Sequence, residues 1–300
     1  MTLADIRIED RYPTRIAENA QSLERTDPTV WGTDMDGPID KAALASHDLK
    51  GSSVVEGLLS PAEVQGYWQE LVRLSNDDAL KDDQRVITER ASGEVRSIFE
   101  VHKLSELIAE LVLDPRVLDR ARQILGSDVY IHQCRVNYMP GFKGKGFYWH
   151  SDFETWHAED GMPIPRAVSC SIALTDNYPF NGGLMVMPGS QRTFVQCIGD
   201  TPENHYKASL KEQEIGVPSR DDLTKMAAEY GIEQFTGSAG TALWFDSNIM
   251  HGSGNNITPY PRSNIFIVFN SVRNTLVEPF AAGAHRPEFI ANRDFTPLTR

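Results

Sequence analysis

From Val129 onward the chain carries short runs rich in Val, Ile, Phe and Tyr, separated by clusters of Gly, Pro and Asn. Branched and aromatic side chains suit a half-buried pleated strand, and the intervening clusters supply turn conformations. The runs predict strands over 129–139, 166–175, 183–187, 241–246 and 263–272. Many strands with few helices between them specify a mainly β fold, an antiparallel double-stranded β-helix (jelly roll) with helices packed outside. A polar stretch at about 192–219 interrupts the series and is expected to act as a lid. A helix then runs from Ser219 to Tyr230 and stops at Gly231.

The first 126 residues read differently. Residues 1 to about 55 are polar and rich in Asp, Pro and Gly, so loops and short turns wrapping a core are expected. Ser60-Pro61-Ala62-Glu63 has the form of a capping box with proline at the first helical position, opening a helix to about Leu74. Further helices are expected over Leu104–Val112 and from Asp114-Pro115 to Gly126. A chain of 300 residues is ample for one catalytic domain, with 1–126 as a largely helical and irregular part packed on a jelly-roll core at 127–300.

Lys and Arg number 29 and Asp and Glu 42, for a net charge of −13. A field of that sign repels phosphate backbones and anionic lipid, so neither nucleic acid nor a membrane surface is an expected partner. The cysteines, Cys134, Cys170 and Cys197, are odd in number and share no CxxC spacing, which favours a reducing compartment over a disulfide framework. The N-terminal MTLADIRIEDRYPTR is charged throughout, and no apolar run approaches the roughly 20 residues of a spanning helix. A cytoplasmic protein is expected, and a homodimer is left open.

Chemistry concentrates at His150-Ser151-Asp152. In an extended chain, positions i and i+2 face the same side, so this imidazole and carboxylate would meet one metal ion. They make two thirds of the facial triad that suits non-haem Fe(II). With 8 histidines, about one His-x-acid triplet arises by chance, and His157-Ala158-Glu159 is a second. Context separates them. The first follows a glycine-rich aromatic run, Gly141 to Trp149, fit to wall a cavity, whereas the second lies in a charged stretch that reads as a surface turn. His251, between an expected strand and the turn Gly252–Asn256, is the best third ligand. Arg262 opens the last strand with a fork that binds carboxylates bidentately. Met250 and Trp244 read as core.

HxD, a hundred or so residues with strands, then His, then Arg about ten positions on, is the pattern of 2-oxoglutarate dioxygenases. The run FYWHSDFETWHAEDGMPIPRA, with QCRVNYMPGFKGKG before it and GGLMVMPGSQ after it, resembles the bacterial ectoine hydroxylases of the phytanoyl-CoA hydroxylase-like branch. DRYPTR, HGSGNN and PRSNIFIVFNSV extend the resemblance over most of the chain. It implies Fe(II) on His150, Asp152 and His251. It places 2-oxoglutarate on Arg262 with Ser253, Asn137, Phe147 and Lys143, and O2 as oxidant. It puts ectoine, a zwitterionic compatible solute, on Gln133, Thr155, Trp156 and Phe269. Phe269 has the opposite parity to Arg262, so a bulge is needed to turn both inward. Two alternatives stand beside this one: a hydroxylase of another small zwitterion such as free proline, and a metal-free jelly-roll binding protein.

Overall fold

The computed structural model describes residues 9–88, 93–210 and 215–300. Its strands are β1 (Ser22–Glu24), β2 (Ser52–Val55), β3 (Val86–Thr88), β4 (Val95–Phe99), β5 (Val129–Met139) and β6 (Ala167–Ala173). The series continues with β7 (Leu184–Val186), β8 (Thr193–Val195), β9 (Glu233–Gln234), β10 (Ala242–Asp246), β11 (His251–Ser253) and β12 (Arg262–Ser271). The helices are α1 (Lys41–Lys50), α2 (Pro61–Ser75), α3 (Val101–Leu104), α4 (Glu106–Leu113), α5 (Pro115–Leu125), α6 (Asp152–Asp160), α7 (Tyr206–Ser209) and α8 (Arg220–Tyr230).

A large antiparallel sheet in the order β2-β10-β6-β12-β5-β4-β3 and a small one in the order β11-β7-β9 form the jelly roll. The five strands expected from residue texture all occur, within a few residues of the expected bounds. So do the capping box of α2, with Ser60 Oγ accepting from Glu63 N–H, and the stop of α5 at a left-handed Gly126.

The N-terminal part is more than a helical wrapping. It contributes β2, β3 and β4 to the large sheet, and α1 lies where loops were expected. That helix is held by its cap, Asp40 accepting from Ala43 N–H at 2.9 Å, and buries only Leu44 and His47. It has no apolar stripe from which to be predicted.

Along β12 the alternation of the pleat divides the molecule. Ile265, Ile267 and Phe269 enter the core shared with α2, α4 and α5, where Leu71, Leu111 and Leu118 are buried. Phe266 and Val268 face the other way, into a core with Phe153, Trp156, Val186 and Phe245. The second face carries the site. Of the expected lid, residues 193–195 form β8 paired with β1, and α7 follows; residues 211–214 lie outside the described residues.

Candidate active site

His150 and His251 meet backbone to backbone. His150 N–H donates to His251 O at 2.9 Å, and His251 N–H donates to His150 O at 3.0 Å. The rings come to rest with centroids 4.3 Å apart. Each Nδ1–H donates to a carbonyl two residues back, that of Tyr148 at 2.7 Å and that of Ile249 at 3.0 Å. These bonds fix the tautomers and leave both Nε2 lone pairs for a ligand.

Asp152 reaches the same point by a different route from the one expected. The triplet is not extended: Ser151 caps α6, its Oγ accepting from Glu154 N–H, and Asp152 is the first helical residue. Ser151 Oγ also donates to Asn248 Oδ1 at 3.0 Å, and Phe153 N–H donates to Ser247 O at 2.8 Å. The helix start is thus fastened to the turn before β11. Asp152 Oδ1 lies 3.6 Å from His150 Nε2 and Oδ2 lies 3.7 Å from His251 Nε2.

One ligand atom from each of the three residues falls within 4.8 Å of the others, and buried Asp152 Oδ2 has no hydrogen-bond partner. Burial raises the Asp152 pKa, but His251, His150 and Arg135 outweigh it and hold the carboxyl down at about 2. Burial, helped by His150, pushes His251 down to about 4, which keeps its ring neutral. Two neutral imidazoles and one ionised carboxylate on one side of a point, with the cavity on the other, fit iron(II) with open positions.

The cavity behind these ligands is lined by residues of β4, β5, β12 and α6. Among the described residues its charged lining is cationic, Arg96, Arg135, Lys145, Arg262 and Arg286 against the carboxylate of Asp152. Arg262 stands at the start of β12 as expected. Its Nε is buried without a partner, and its Nη2 meets only Met139 Sδ, at 4.0 Å. Burial lowers its pKa to about 10, so it stays charged at neutral pH. An unpartnered guanidinium edge in a cavity is a place for a carboxylate. Ser253, Asn137 and Phe147 line the same cavity. Phe147 N–H donates to Ser253 Oγ at 3.0 Å, which leaves the hydroxyl proton for another acceptor. The close fit of this segment needs Gly146, since a Cβ there would lie 2.0 Å from Ser253 O.

Gln133, Thr155 and Trp156 also line the cavity. Gln133 Nε2 donates to Ile290 O at 2.8 Å, and its Oε1 accepts from Arg135. The amide is therefore oriented, and Oε1 retains one lone pair for an N–H donor.

Two expected residues are not brought there. Lys143 is exposed in a turn, and Lys145 lines the cavity instead. Phe269 is buried in the opposite core, stacked on Trp244 with centroids 6.3 Å apart. The required irregularity exists but lies in β5, where Val268 and Phe269 face Gln133 and Ile131 and His132 is the extra residue. β12 keeps its own alternation, so Phe266, not Phe269, lines the cavity. Arg135 and Asn264 were missed as well. Their signal was polar residues at alternate positions of apolar strands, with Gln133, Arg135 and Asn137 on one face of β5.

The second triplet, His157-Ala158-Glu159, is no surface turn, because every residue of α6 is buried. His157 stacks on Phe280 at 3.9 Å and bridges Met162 O and Asp10. Glu154 is held by Arg15 at 2.7 Å and by Thr14 Oγ1 at 2.7 Å, and Asp160 by Arg286. Each acid of the helix beyond Asp152 has a cation, and so the helix that carries a ligand can be buried whole.

Two histidines locked by their own backbone, a carboxylate at a helix start and an open guanidinium across the cavity describe one chemical class, the non-haem iron(II)- and 2-oxoglutarate-dependent dioxygenases. Comparison with known proteins agrees. The family model for phytanoyl-CoA dioxygenase (PhyH) matches residues 48–264, and the chain belongs to that family. An ectoine dioxygenase of Nocardia farcinica is 66% identical over 96% of this chain and 95% of its own length. That of Streptomyces coelicolor is 59% identical over 99% and 100%. The crystal structure of EctD from S. alaskensis with 2-oxoglutarate and 5-hydroxyectoine superimposes with a TM-score of 0.86, at 45% identity over 95% of both chains. The iron-bound form of that protein gives a TM-score of 0.87, at 44% identity over 97% of this chain and 98% of that one.

Proposed function

We propose that this dioxygenase hydroxylates ectoine to 5-hydroxyectoine, with iron(II) on His150, Asp152 and His251. Bound there, iron(II) with 2-oxoglutarate would supply the O2-dependent oxidation, the keto acid becoming succinate and CO2 while a substrate C–H becomes C–OH. The observation that carries the reading is the ligand cluster and the open Arg262 edge facing one cavity, in a chain so close to ectoine dioxygenases.

The protein's part is placement. Arg262 fixes the far carboxylate of the keto acid, with the Ser253 hydroxyl as a second donor, Asn137 alongside and Phe147 packed beside it. Ectoine has a delocalised amidinium and a carboxylate. Gln133 Oε1 accepts from an amidinium N–H, because its other bonds leave it only that role. The Trp156 face holds the cation, a contact of roughly 1–2 kcal/mol when desolvated, and Thr155 closes the same wall. Ser209 and Leu210, at the end of α7, line the cavity, cover that part of the site and exclude water. Three buried free cysteines support a reducing cytoplasm.

The test is an anaerobic titration with Fe(II) and 2-oxoglutarate, followed by exposure to O2 with ectoine or proline. Succinate and hydroxyectoine should appear together in equal amounts. Succinate without hydroxylated ectoine, or preferential hydroxylation of proline, would sink the substrate assignment and leave the class intact. Failure to bind Fe(II) would favour a binding protein.

A further inference from the structure

His205 stands at the start of α7 but offers that helix no side-chain cap. Its imidazole turns away instead, with Nδ1 3.1 Å from Glu159 Oε1 on α6. Both groups are buried, His205 at 9% and Glu159 at 1% exposure. Burial raises the Glu159 pKa, but the His205 bond, Arg286 and Arg15 outweigh it and hold the carboxyl below its ordinary value. An ionised carboxylate only accepts, so Nδ1 carries the proton and donates. The same Oε1 accepts from Arg15 Nη2 at 3.1 Å, so Glu159 keeps a cation even without His205.

The other side of α7 rests on a different part of the fold. Tyr206 and Leu210 pack against the cluster of Phe99, Phe289 and Ile290. Phe99 pairs with Arg135 of β5, four residues from Met139, the partner of Arg262. Four residues are roughly 13 Å of strand. The helix therefore covers the end of the cavity where Gln133 bonds Ile290 O, and not the carboxylate end at Arg262. His205 O accepts from Ser209 N–H at 3.0 Å, one turn on, and Ser209 and Leu210 line the cavity. Fixing His205 thus fixes the residues that close this wall.

We infer that His205 is a positioning residue for the hydroxylation: its bond to Glu159 latches α7 onto α6, so that Ser209 and Leu210 close over the substrate end of the cavity. Glu159 follows Trp156 by three residues, so the latch ties the cover to the helix that presents Thr155 and Trp156. A substrate under a seated cover holds its C–H bond in place and away from water, whereas a loose cover lets the keto acid be consumed without product.

The inference rests on the ectoine reading of this cavity, and the experiment tells the two apart. Fe(II)-loaded wild type, His205→Ala and His205→Asn are compared for the KM of ectoine, the ratio of succinate to hydroxyectoine, and the anaerobic affinity for 2-oxoglutarate. His205→Ala should raise the KM about fivefold or more and the ratio about twofold or more, because closure governs binding and coupling together. Its affinity for 2-oxoglutarate should stay within about twofold, since the Arg262 end is remote from α7. Asparagine places an amide N–H where the imidazole has Nδ1–H, so His205→Asn should keep both KM and ratio within about twofold of wild type. Should His205→Ala fail to fold, His205→Leu, which fills the space without a donor, stands in for it with the same expected losses. Unchanged KM and ratio in the variant without a donor, an equal loss of 2-oxoglutarate affinity, or His205→Asn as impaired as that variant would overturn the inference. Wild type that makes succinate and never hydroxylates ectoine would overturn the substrate reading and this inference with it.

Discussion

An imidazole that donates Nδ1–H to its own backbone has one nitrogen left, and at His150 and His251 that nitrogen faces Asp152. Replacing any of the three by alanine leaves two donors, too few to hold iron in facial geometry. Iron per chain after desalting should fall to background and turnover should vanish, with the circular dichroism unchanged. His157→Ala should behave in the opposite way. Iron stays stoichiometric, but losing a buried stacked ring and two hydrogen bonds costs roughly 2–4 kcal/mol, read as a lower Tm. Iron loss in His157→Ala with iron retained in His150→Ala would reverse the ligand assignment. At Arg262 the Lys variant keeps the charge and loses the fork. Affinity for 2-oxoglutarate should fall by about 10- to 100-fold, the equivalent of roughly 1.5–3 kcal/mol. Unchanged affinity would put the keto-acid carboxylate elsewhere.

At the scale of elements, α6 presents Asp152, Thr155 and Trp156 to the cavity and depends on partners far away in sequence. Arg15 bonds Glu154 at 2.7 and 3.0 Å and reaches Glu159 at 3.1 Å, all buried. Arg15→Ala leaves buried Glu154 without a cation and Glu159 with His205 as its remaining partner, so a loss of roughly 3–5 kcal/mol is expected in urea unfolding. The KM for ectoine should rise as the helix loosens. A variant as stable as wild type would show that Glu154 needs no cation. This helix also marks where the sequence was legible and where it was not. Strands at 129–139 and 241–246 were readable because both composition and punctuation are local properties. The HxD motif and Arg262 were readable from spacing. The burial of α6 was not, because DFETWHAED looks solvated until Arg15 and Arg286 arrive from the two ends of the chain. Likewise the bulge at His132 is set by strand pairing, and no single strand carries its signal. That is why Phe266 was passed over for Phe269.

For the molecule as a whole, acid stability follows from histidines buried as neutral groups. His47, on the buried side of α1, has its Nδ1 bonded to Ser53 Oγ of β2 at 2.9 Å and its Nε2 buried without a partner among the described residues. Burial, with a smaller contribution from Arg120, pushes its pKa from 6.5 down to about 4. His102 is pushed down to about 4 by burial and Lys103. The folded state therefore refuses a proton that the unfolded chain accepts below about pH 6.5. Stability is complete above that value, falls as pH drops through the window from 6.5 to about 4, and flattens below it for these groups. A shift of this size corresponds to roughly 3 kcal/mol at His47. The carboxylates with lowered pKa, among them Asp10, Glu159 and Asp160, lose their contribution only below their ordinary values of 3.8 to 4.5, so most of the window belongs to imidazoles. His251 titrates in the same window in metal-free protein, which is why the comparison must be made at His47. His47→Asn retains a polar group of similar size and cannot ionise. Urea unfolding of metal-free wild type and of this variant, between pH 4 and pH 8, should give curves that converge toward pH 4. The variant is less stable than wild type at neutral pH and has the shallower slope between pH 6.5 and pH 4. Parallel curves across that range would mean that His47 carries its proton in the folded state, against the burial that surrounds it.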